Sequence, residues 1–310
     1  MLHVSLRGDI PETFQILPQV SVDTYQTHYK SASPHKYEHV NSLSSYSSAK
    51  SATHNTLNIL IAMTAQLELY VLTWGIYPRR VLLYLAEKGL LSSPVIKITP
   101  VTITNTGMVA PGKPQGSVPI LRLPDGTFIK QSIAIIEFFE DVCDDPDPAQ
   151  DWQIELAKST NSGITMRGNT PAQRAKTREV LGLVDEASSQ FCFAAHKGTA
   201  LFVPLEETNA LAAKLALEYC RKTLRLVEEN YTTELSRSVD SGRVSVADCV
   251  LNSLLQFSER VYGVDLLSGP EMPLLRHLRG MLQTRSFTGL EEPLCPDGIK
   301  KLASQWLPVG

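Results

Sequence analysis

A proline inside a strand-like run is the feature that most restricts how this chain can fold. The run SVPILRL, residues 117–123, has the apolar character of a strand, yet Pro119 stands near its start. Proline cannot donate a hydrogen bond to a neighbouring strand, so it is tolerated at sheet edges, at bulges or at the start of a strand. The pattern therefore predicts that the start of this strand has a role other than hydrogen bonding to a neighbouring strand.

Three elements before this run predict a β-α-β unit. LELYVLTW (67–74) is typical of a buried strand, and PRRVLLYLAEKGLL (78–91) of an amphipathic helix that ends at Gly89 as a C-cap. VIKITPVTI (95–103) predicts a second strand that bends at Pro100. Two strands joined by a helix pair in parallel through a right-handed crossover.

The residues after Pro119 predict a β-hairpin and a helix. The runs SVPILRL and TFIKQS are joined by a turn at residues 124–126, Pro-Asp-Gly. A short apolar helix, QSIAIIEFFEDVC, is expected to begin near Ser132. The element order β-α-β followed by β-β-α predicts an α/β domain over residues 66–143.

The second half of the chain predicts an all-helical domain over residues 152–310, after a Pro- and Asp-rich linker at 144–151. Apolar residues recur there every three or four positions, as a helix with one buried face requires. In one of these helices the predicted core stripe comprises Leu211, Leu215, Tyr219 and Leu226. The clearest helical runs are 170–190, 207–231, 245–263 and 273–285.

Residues 1–65 differ from the rest and predict a disordered, serine-rich extension, or one that is not native because the start codon is placed too early. Eight serines fall within 31–55, without helical or strand periodicity. Residues 35–39, His-Lys-Tyr-Glu-His, match the H-x-x-E-H order of some zinc peptidases. That order needs a helix to bring both imidazoles to one face, and none is predicted, so no metal is expected.

The composition is that of a soluble globular protein and excludes several classes of function. The chain is 43% hydrophobic and 20% charged, with a net charge of −3, so no general affinity for nucleic acid or anionic membranes is expected. Its longest apolar stretches are too short to cross a bilayer. Five widely spaced cysteines form no CxxC pair, which predicts reduced thiols in the cytoplasm and disfavours dithiol chemistry.

The stretch GSVPILRLPDGTFIKQSIAIIEFFED resembles the glutathione-binding half of cytosolic glutathione transferases, whose N-terminal domain has the thioredoxin-like fold. The resemblance covers roughly residues 67–290. In that family the Val-Pro peptide bond is cis and leaves the backbone N–H and C=O of the residue before the proline free to pair with a peptide. The resemblance implies that Val118 and Pro119 present the backbone to glutathione. An ordinary trans proline at a strand edge is the alternative.

The predicted helix start at Gln131 and Ser132 suits a carboxylate. Ser132 is a good N-cap, and the first N–H groups of a helix together with its dipole attract anions. The resemblance implies that this site binds the γ-glutamyl carboxylate of glutathione; capping alone is the alternative. Lys113 and Gln115, in the preceding loop, are candidates for the glycyl carboxylate.

The catalytic position departs from the family pattern. Cytosolic transferases place a tyrosine, serine or cysteine after the first strand, beside the glutathione sulfur, whose thiolate is the nucleophile. Here the stretch is VLTWGIYPRRV, and Gly75 stands at the position of the serine or cysteine. Thr73 and Tyr77 are the remaining side-chain candidates, with a backbone N–H as the alternative to Thr73, whereas Tyr70 is expected in the core. The arginines at 79 and 80 either add positive potential or are solvated helix charges.

Glutathione as co-substrate and a hydrophobic electrophile as second substrate are the implied ligands, and a homodimer is the implied assembly. We expect the electrophile near Ile76, Tyr77 and the helix that begins at Thr170, with Met166 and Arg167 just before it. The implied roles are detoxification or secondary metabolism. The rivals are a glutathione-dependent isomerase or tailoring enzyme and a non-catalytic binding protein.

The sequence also predicts a capping box at Ser245-Val246-Ala247-Asp248, ahead of an apolar helix. A serine N-cap and an acidic residue three places on satisfy two N–H groups reciprocally. We therefore assign Asp248 a structural role.

Overall fold

The computed structural model describes residues 67–310, apart from 105–106, 161–164, 287–289, 291 and 293. The predicted extension at 1–65 and its H-x-x-E-H motif lie outside the described residues.

The predicted β-α-β unit and hairpin are confirmed in a four-stranded sheet of order β2-β1-β5-β6. Strand β1 is parallel to β2 and antiparallel to β5, and β5 is antiparallel to β6. Pro119 lies directly before β5 and not within it, which explains how the strand accommodates a proline. The strands described are β1 (Leu67–Val71), β2 (Ile96–Pro100), β3 (Thr102–Thr104), β4 (Gly107–Val109), β5 (Ile120–Arg122) and β6 (Phe128–Ile129).

The run at 95–103 was predicted as one bent strand, and this was wrong. β2 ends at Pro100, and β3 leaves the sheet to pair antiparallel with β4 as a separate two-stranded sheet. Pro100 has no N–H to continue a ladder, and the next residue, Val101, makes the last bond to β1, from its N–H to the Val71 carbonyl at 2.8 Å. β4 is three residues long, too short for a period-two pattern to show in the sequence.

Both faces of β1 are covered, because its side chains alternate between two cores. Leu67, Leu69 and Val71 pack into the main core with the helices, whereas Tyr70 packs into a smaller cluster with Val118 and Ile120. Tyr70 is fully buried, as expected of a core residue. The β3–β4 pair contributes to the smaller cluster and thereby covers the sheet on that side.

Helices pack against the sheet, and the described residues beyond 131 form helices and connecting loops, which confirms a thioredoxin-like domain followed by a helical region. Gly89 ends α1 in the left-handed conformation, with φ 84°, as predicted. The helices described are α1 (Ile76–Lys88), α2 (Ser132–Asp144), α3 (Asp151–Lys158), α4 (Pro171–Gly198), α5 (Ala210–Asn230), α6 (Thr232–Ser241), α7 (Val246–Tyr262), α8 (Pro273–Gln283) and α9 (Asp297–Ala303).

The predicted core stripe of α5 was wrong, because its members face outward. Leu215 is 48% exposed and Tyr219 59% exposed. The face of α5 that is buried instead carries smaller residues, whose size lets α5 pack closely against its neighbours. The buried stripe comprises Ala213, Ala216, Cys220, Leu224 and Val227.

A buried glutamate joins the two halves of the molecule. Glu140 of α2 is fully buried and pairs with the Lys88 ammonium of α1 at 2.7 Å. Its two carboxylate oxygens also accept from the Tyr84 hydroxyl at 2.8 Å, the Thr165 hydroxyl at 2.8 Å and the Met166 N–H at 2.9 Å. One side chain therefore ties α1, α2 and the segment leading into α4 together.

The predicted capping box is confirmed at the start of α7. The Ser245 hydroxyl accepts from the Asp248 N–H at 3.2 Å, and the Ser245 N–H donates to the Asp248 carboxylate at 2.7 Å. The same carboxylate oxygen accepts from the Ser238 hydroxyl of α6 at 2.8 Å. Burial raises the pKa of Asp248, although these hydrogen bonds oppose the shift.

We expect Asp248→Ala to lower the free energy of unfolding by about 1–3 kcal/mol, because it removes a cap and leaves buried donors unsatisfied. Urea denaturation measures this change. Asp297→Ala is the matched control, since Asp297 is an exposed acid in the first turn of α9. Equal effects of the two substitutions would show that the capping box contributes no more to the free energy of unfolding than a surface charge does.

Candidate functional site

Sheet register brings three distant segments of the chain to one edge of the sheet. Tyr70 of β1 lies opposite Ile120 of β5, so continuing this antiparallel register places Leu72 beside Val118. Leu72 and Val118 indeed pack in the same apolar cluster. The edge where β1 ends is therefore the edge where β5 begins.

The end of β6 reaches the same edge. Leu121 lies opposite Ile129, and continuing that register places Gln131 beside Pro119. The turn after β1, the residues before β5 and the start of α2 thus meet. They contain Thr73, Val118, Pro119, Gln131 and Ser132, five of the eight predicted site residues.

The Val118–Pro119 peptide bond is cis, as the family resemblance implies. Both residues are buried. Gly116, two residues before Val118, has φ 123°, a conformation that glycine adopts readily and other residues rarely do.

Helix α2 starts one residue earlier than a cap at Ser132 predicts, because its N-cap is Gln131 and not Ser132. Gln131 has extended dihedral angles and makes no side-chain capping bond, while its carbonyl accepts the first helical bond from the Ile135 N–H at 2.9 Å. Ser132 is thus the first helical residue, and it is buried. Helix geometry gives the N–H groups of Ser132 and Ile133 no acceptor within the helix.

The segment between β1 and α1 forms a tight turn with Thr73 and Trp74 at its centre. The Gly75 N–H donates to the Leu72 carbonyl at 2.9 Å, which closes this turn. Thr73 is half-buried, and its hydroxyl has no hydrogen-bond partner within the described residues. Gly75 is the N-cap of α1 in an extended conformation, with no side chain to cap the helix.

Tyr77 is the second residue of α1, and its hydroxyl is directed at α4. It approaches the Cys192 sulfur at 3.8 Å, and the Arg80 guanidinium lies 4.7 Å from the centre of its ring. Burial raises the pKa of Tyr77 well above its ordinary value. The phenol therefore stays protonated at neutral pH, and only Thr73 of the two candidates lies in the turn itself.

The arginines at 79 and 80 are neither solvated nor part of this edge. Arg80 is 1% exposed and pairs with Asp185 of α4 at 2.6 Å. Arg79 is also buried and donates from Nε to the Gln256 side chain of α7 at 3.1 Å. Burial lowers the pKa of Arg79 to about 10. Sequence reasoning missed these contacts, whose partners lie more than 100 residues away.

Lys113 and Gln115 lie in the loop that leads to Val118. The Lys113 ammonium donates to the Gly116 carbonyl at 2.6 Å and the Pro114 carbonyl at 3.0 Å, and Gln115 is exposed. Burial, with the nearby Lys130, lowers the pKa of Lys113. Lys113 and Lys130 are therefore two neighbouring cations near the end of β6, and their charge favours an anionic ligand there.

Met166 and Arg167, expected near the electrophile, both contact α2 beyond its first turn. Arg167 pairs with Glu137, Asp141 and Asp144 along the second half of α2. Asp144 is twelve residues beyond the start of α2, about 18 Å along its axis. Arg167 therefore belongs to the contact between the two halves of the molecule.

Metal clusters, free cysteines and membrane-spanning helices are three further possibilities among the residues that the structure describes. No three His, Cys, Asp or Glu side chains there come together as a potential metal site. All five cysteines are free, and Cys220, Cys249 and Cys295 are buried. No helix in this part of the chain is both long and apolar enough to span a membrane.

Comparisons with known proteins give a match to one family model and a shared fold. Residues 74–142 match the family model described as the N-terminal domain of glutathione S-transferase. No curated protein matches the chain. Among similar solved structures, a glutathione transferase family member from Pseudomonas fluorescens Pf-5 with bound glutathione is 15% identical, with a TM-score of 0.53 over 71% of this chain and 95% of its own.

Two further structures show the same fold. A glutathione S-transferase from Methylobacillus flagellatus KT with glutathione bound is 17% identical, with a TM-score of 0.52 over 71% of this chain and 96% of its own. Gtt2 from Saccharomyces cerevisiae is 22% identical, with a TM-score of 0.50 over 70% of this chain and 96% of its own.

Proposed function

We propose that this protein binds glutathione and transfers it to a small hydrophobic electrophile; the match of residues 74–142 to the N-terminal domain of glutathione S-transferase supports this. The attacking atom is the thiolate of bound glutathione. The implied assembly is a homodimer, and the implied location is the cytoplasm.

One observation carries the proposal: the cis peptide bond before Pro119 and the start of α2 lie at one sheet edge. The backbone of Val118, before the cis bond to Pro119, pairs with the cysteinyl residue of glutathione. The γ-glutamyl carboxylate binds the N–H groups at the start of α2, with Gln131 and Ser132 beside it. Lys113 in the adjoining loop supplies positive charge for the glycyl carboxylate.

Thr73 is our candidate for holding the sulfur. It lies in the turn that faces the start of β5, and its hydroxyl is available as a donor. A hydroxyl that donates to sulfur stabilises the thiolate more than the thiol and so lowers the thiol pKa. Tyr77, whose hydroxyl contacts Cys192, is assigned to the wall of the electrophile site together with Ile76.

A non-catalytic glutathione-binding protein is the second candidate, and Gly75 favours it. The position that carries a serine or cysteine in many transferases has no side chain here. Steady-state rates with a panel of aryl halides, epoxides and enones distinguish the two. Binding of glutathione without any rate above that of the free tripeptide would support the second candidate.

Ser132→Ala is expected to weaken glutathione binding by about three- to tenfold, because it removes one hydrogen bond near the γ-glutamyl carboxylate. Turnover at saturating glutathione should stay within about twofold, since the interaction is the same in ground and transition states. Calorimetry measures the first quantity and initial rates the second.

Ser189→Ala is the matched control, because Ser189 is an exposed serine on α4 far along the chain from this edge. If Ser132→Ala and Ser189→Ala bind glutathione equally well, Ser132 does not contribute to the site.

A further inference from the structure

A cluster of charged side chains lies at the end of α1 that is remote from the candidate glutathione site. Glu87 is about 17 Å along the helix axis from Ile76, the first residue of α1. The Arg285 guanidinium, which follows α8, pairs with the Glu87 carboxylate at 2.7 Å. It also donates to the Gly242 carbonyl in the loop before α7. Arg285 therefore ties α1 of the thioredoxin-like domain to the helical region.

Two carboxyl groups share this one arginine. The Glu87 side chain is 9% exposed, and Asp248 of α7 is 3% exposed. The Asp248 charge acts to raise the pKa of Glu87, and the Arg285 charge acts to lower the pKa of both carboxyl groups. With both carboxyl groups ionised, the cluster would hold two negative charges against one positive charge.

The other groups close to Glu87 do not balance this charge. Lys88, the next residue of α1, pairs with the fully buried Glu140 of α2 at 2.7 Å. Burial, followed by the Glu87 charge, raises the pKa of Cys249 on α7, so this thiol stays neutral. Besides burial, the groups that act on the pKa of Glu87 are thus Arg285 and Asp248.

One of two close carboxyl groups in a buried site keeps its proton, because an unbalanced buried charge is costly. The Asp248 carboxylate accepts from the Ser245 N–H at 2.7 Å and the Ser238 hydroxyl at 2.8 Å, which favours its charged form. The proton is therefore expected on Glu87. Burial raises the pKa of Glu87 to about 7, although Arg285 opposes the shift.

We propose that Glu87, Asp248 and Arg285 form a pH-sensitive latch between the thioredoxin-like domain and the helical region. With one proton bound, the latch holds one carboxylate against one guanidinium. As the pH rises, Glu87 releases this proton to solvent, and the latch then holds two carboxylates against one guanidinium. Proton binding to the latch therefore stabilises the folded state. The latch contains none of the glutathione-site residues and does not depend on the proposed function.

The unfolding constants of the wild type and Glu87→Gln, measured by urea denaturation between about pH 5 and pH 8, test the proposal. Glutamine keeps the shape of the side chain but cannot ionise. The pKa of Glu87 in the folded protein lies above the ordinary glutamate value of 4.5, so the stabilisation by its proton is complete below about that pH and is lost as the pH rises to about 7. We expect the wild-type constant, relative to that of Glu87→Gln, to rise by up to about tenfold per pH unit and to level off above about pH 7.

Two further variants locate the effect. Glu186→Gln removes an exposed glutamate from α4, and the unfolding constant of the wild type relative to this variant should not depend on pH. Asp248→Asn removes the second carboxyl charge and should move the pH dependence to lower pH by about one unit.

Three results would overturn the proposal: no pH dependence of the wild type relative to Glu87→Gln, the same pH dependence relative to Glu186→Gln, or an unchanged pH dependence in Asp248→Asn. If Glu87→Gln fails to fold, carbon-13 NMR of the glutamate carboxyl groups of the wild type decides. We expect one glutamate resonance to titrate with a midpoint near pH 7. Midpoints that all lie below about pH 5.5 would overturn the assignment, since ordinary glutamates titrate there.

Discussion

Replacing Glu140 by alanine is expected to lower the free energy of unfolding by about 3–5 kcal/mol, because the substitution breaks a buried ion pair. The Lys88 ammonium loses its carboxylate at 2.7 Å, and the buried Tyr84 hydroxyl loses its acceptor. Urea denaturation followed by circular dichroism measures the change. It is the largest loss of stability that we expect from a single substitution.

Two further variants identify the cause. Glu155→Ala removes an exposed acid from α3 and should change the free energy of unfolding by less than about 0.5 kcal/mol. Adding Lys88→Met to Glu140→Ala should recover part of the loss, since a neutral side chain then occupies the buried position. If Glu140→Ala were as stable as Glu155→Ala, the ion pair would not hold the two halves together.

Thr73→Ala is expected to lower kcat by about ten- to hundredfold, while the affinity for glutathione changes by less than about threefold. A hydrogen bond to a charged atom contributes about 1.5–3 kcal/mol, and each 1.4 kcal/mol is a factor of ten in rate. The pKa of the bound thiol should rise, which thiolate absorbance across a pH series measures directly. A rise in that pKa separates loss of a sulfur donor from a general structural effect.

Thr73→Ser is the control, because it keeps the hydroxyl and should retain most of the rate. Gly75→Ser is the converse test, because it adds a hydroxyl at the position where cytosolic transferases have a serine or cysteine. A Cβ at Gly75 would stand 3.3 Å from the Leu72 carbonyl oxygen, a close contact that a small shift relieves, and the backbone conformation there suits any residue. Unchanged kcat and thiol pKa in Thr73→Ala would show that another group holds the sulfur.

Local patterns in the sequence predicted much of the fold. Gly89 as a C-cap and Ser245 with Asp248 as a capping box are short-range signals, so neighbouring residues suffice to predict them. The β-α-β order and the hairpin follow from runs of apolar residues and one turn. The short β3–β4 pair left no such signal and was missed.

Periodicity alone could not identify the buried face of α5. The stripe that includes Leu215 and Tyr219 and the stripe that includes Ala216 and Cys220 both repeat at helical spacing. The larger side chains suggested a core, but the smaller ones are buried, because the packing of α4 on α5 requires a close approach. The packing of α4 against α5, and not the hydrophobicity of the side chains, therefore determines which stripe of α5 is buried.

The candidate site was predicted residue by residue, but its assembly depends on sheet register. Thr73, Val118 and Ser132 are far apart in sequence and meet only because β1, β5 and β6 share one edge. The burial of Arg80 was not foreseeable for a similar reason, since its partner Asp185 lies on a helix of the other half. Long-range partners of this kind leave no local pattern.

Calorimetric titration of the wild-type protein with glutathione tests the central claim most directly, with cysteinylglycine as the matched ligand that lacks the γ-glutamyl residue. We predict that glutathione binds with a Kd below about 1 mM and that cysteinylglycine binds at least about tenfold more weakly, because only glutathione brings a carboxylate to the start of α2. No heat of binding at millimolar glutathione, or equal affinity for the two peptides, would contradict a glutathione site at this sheet edge.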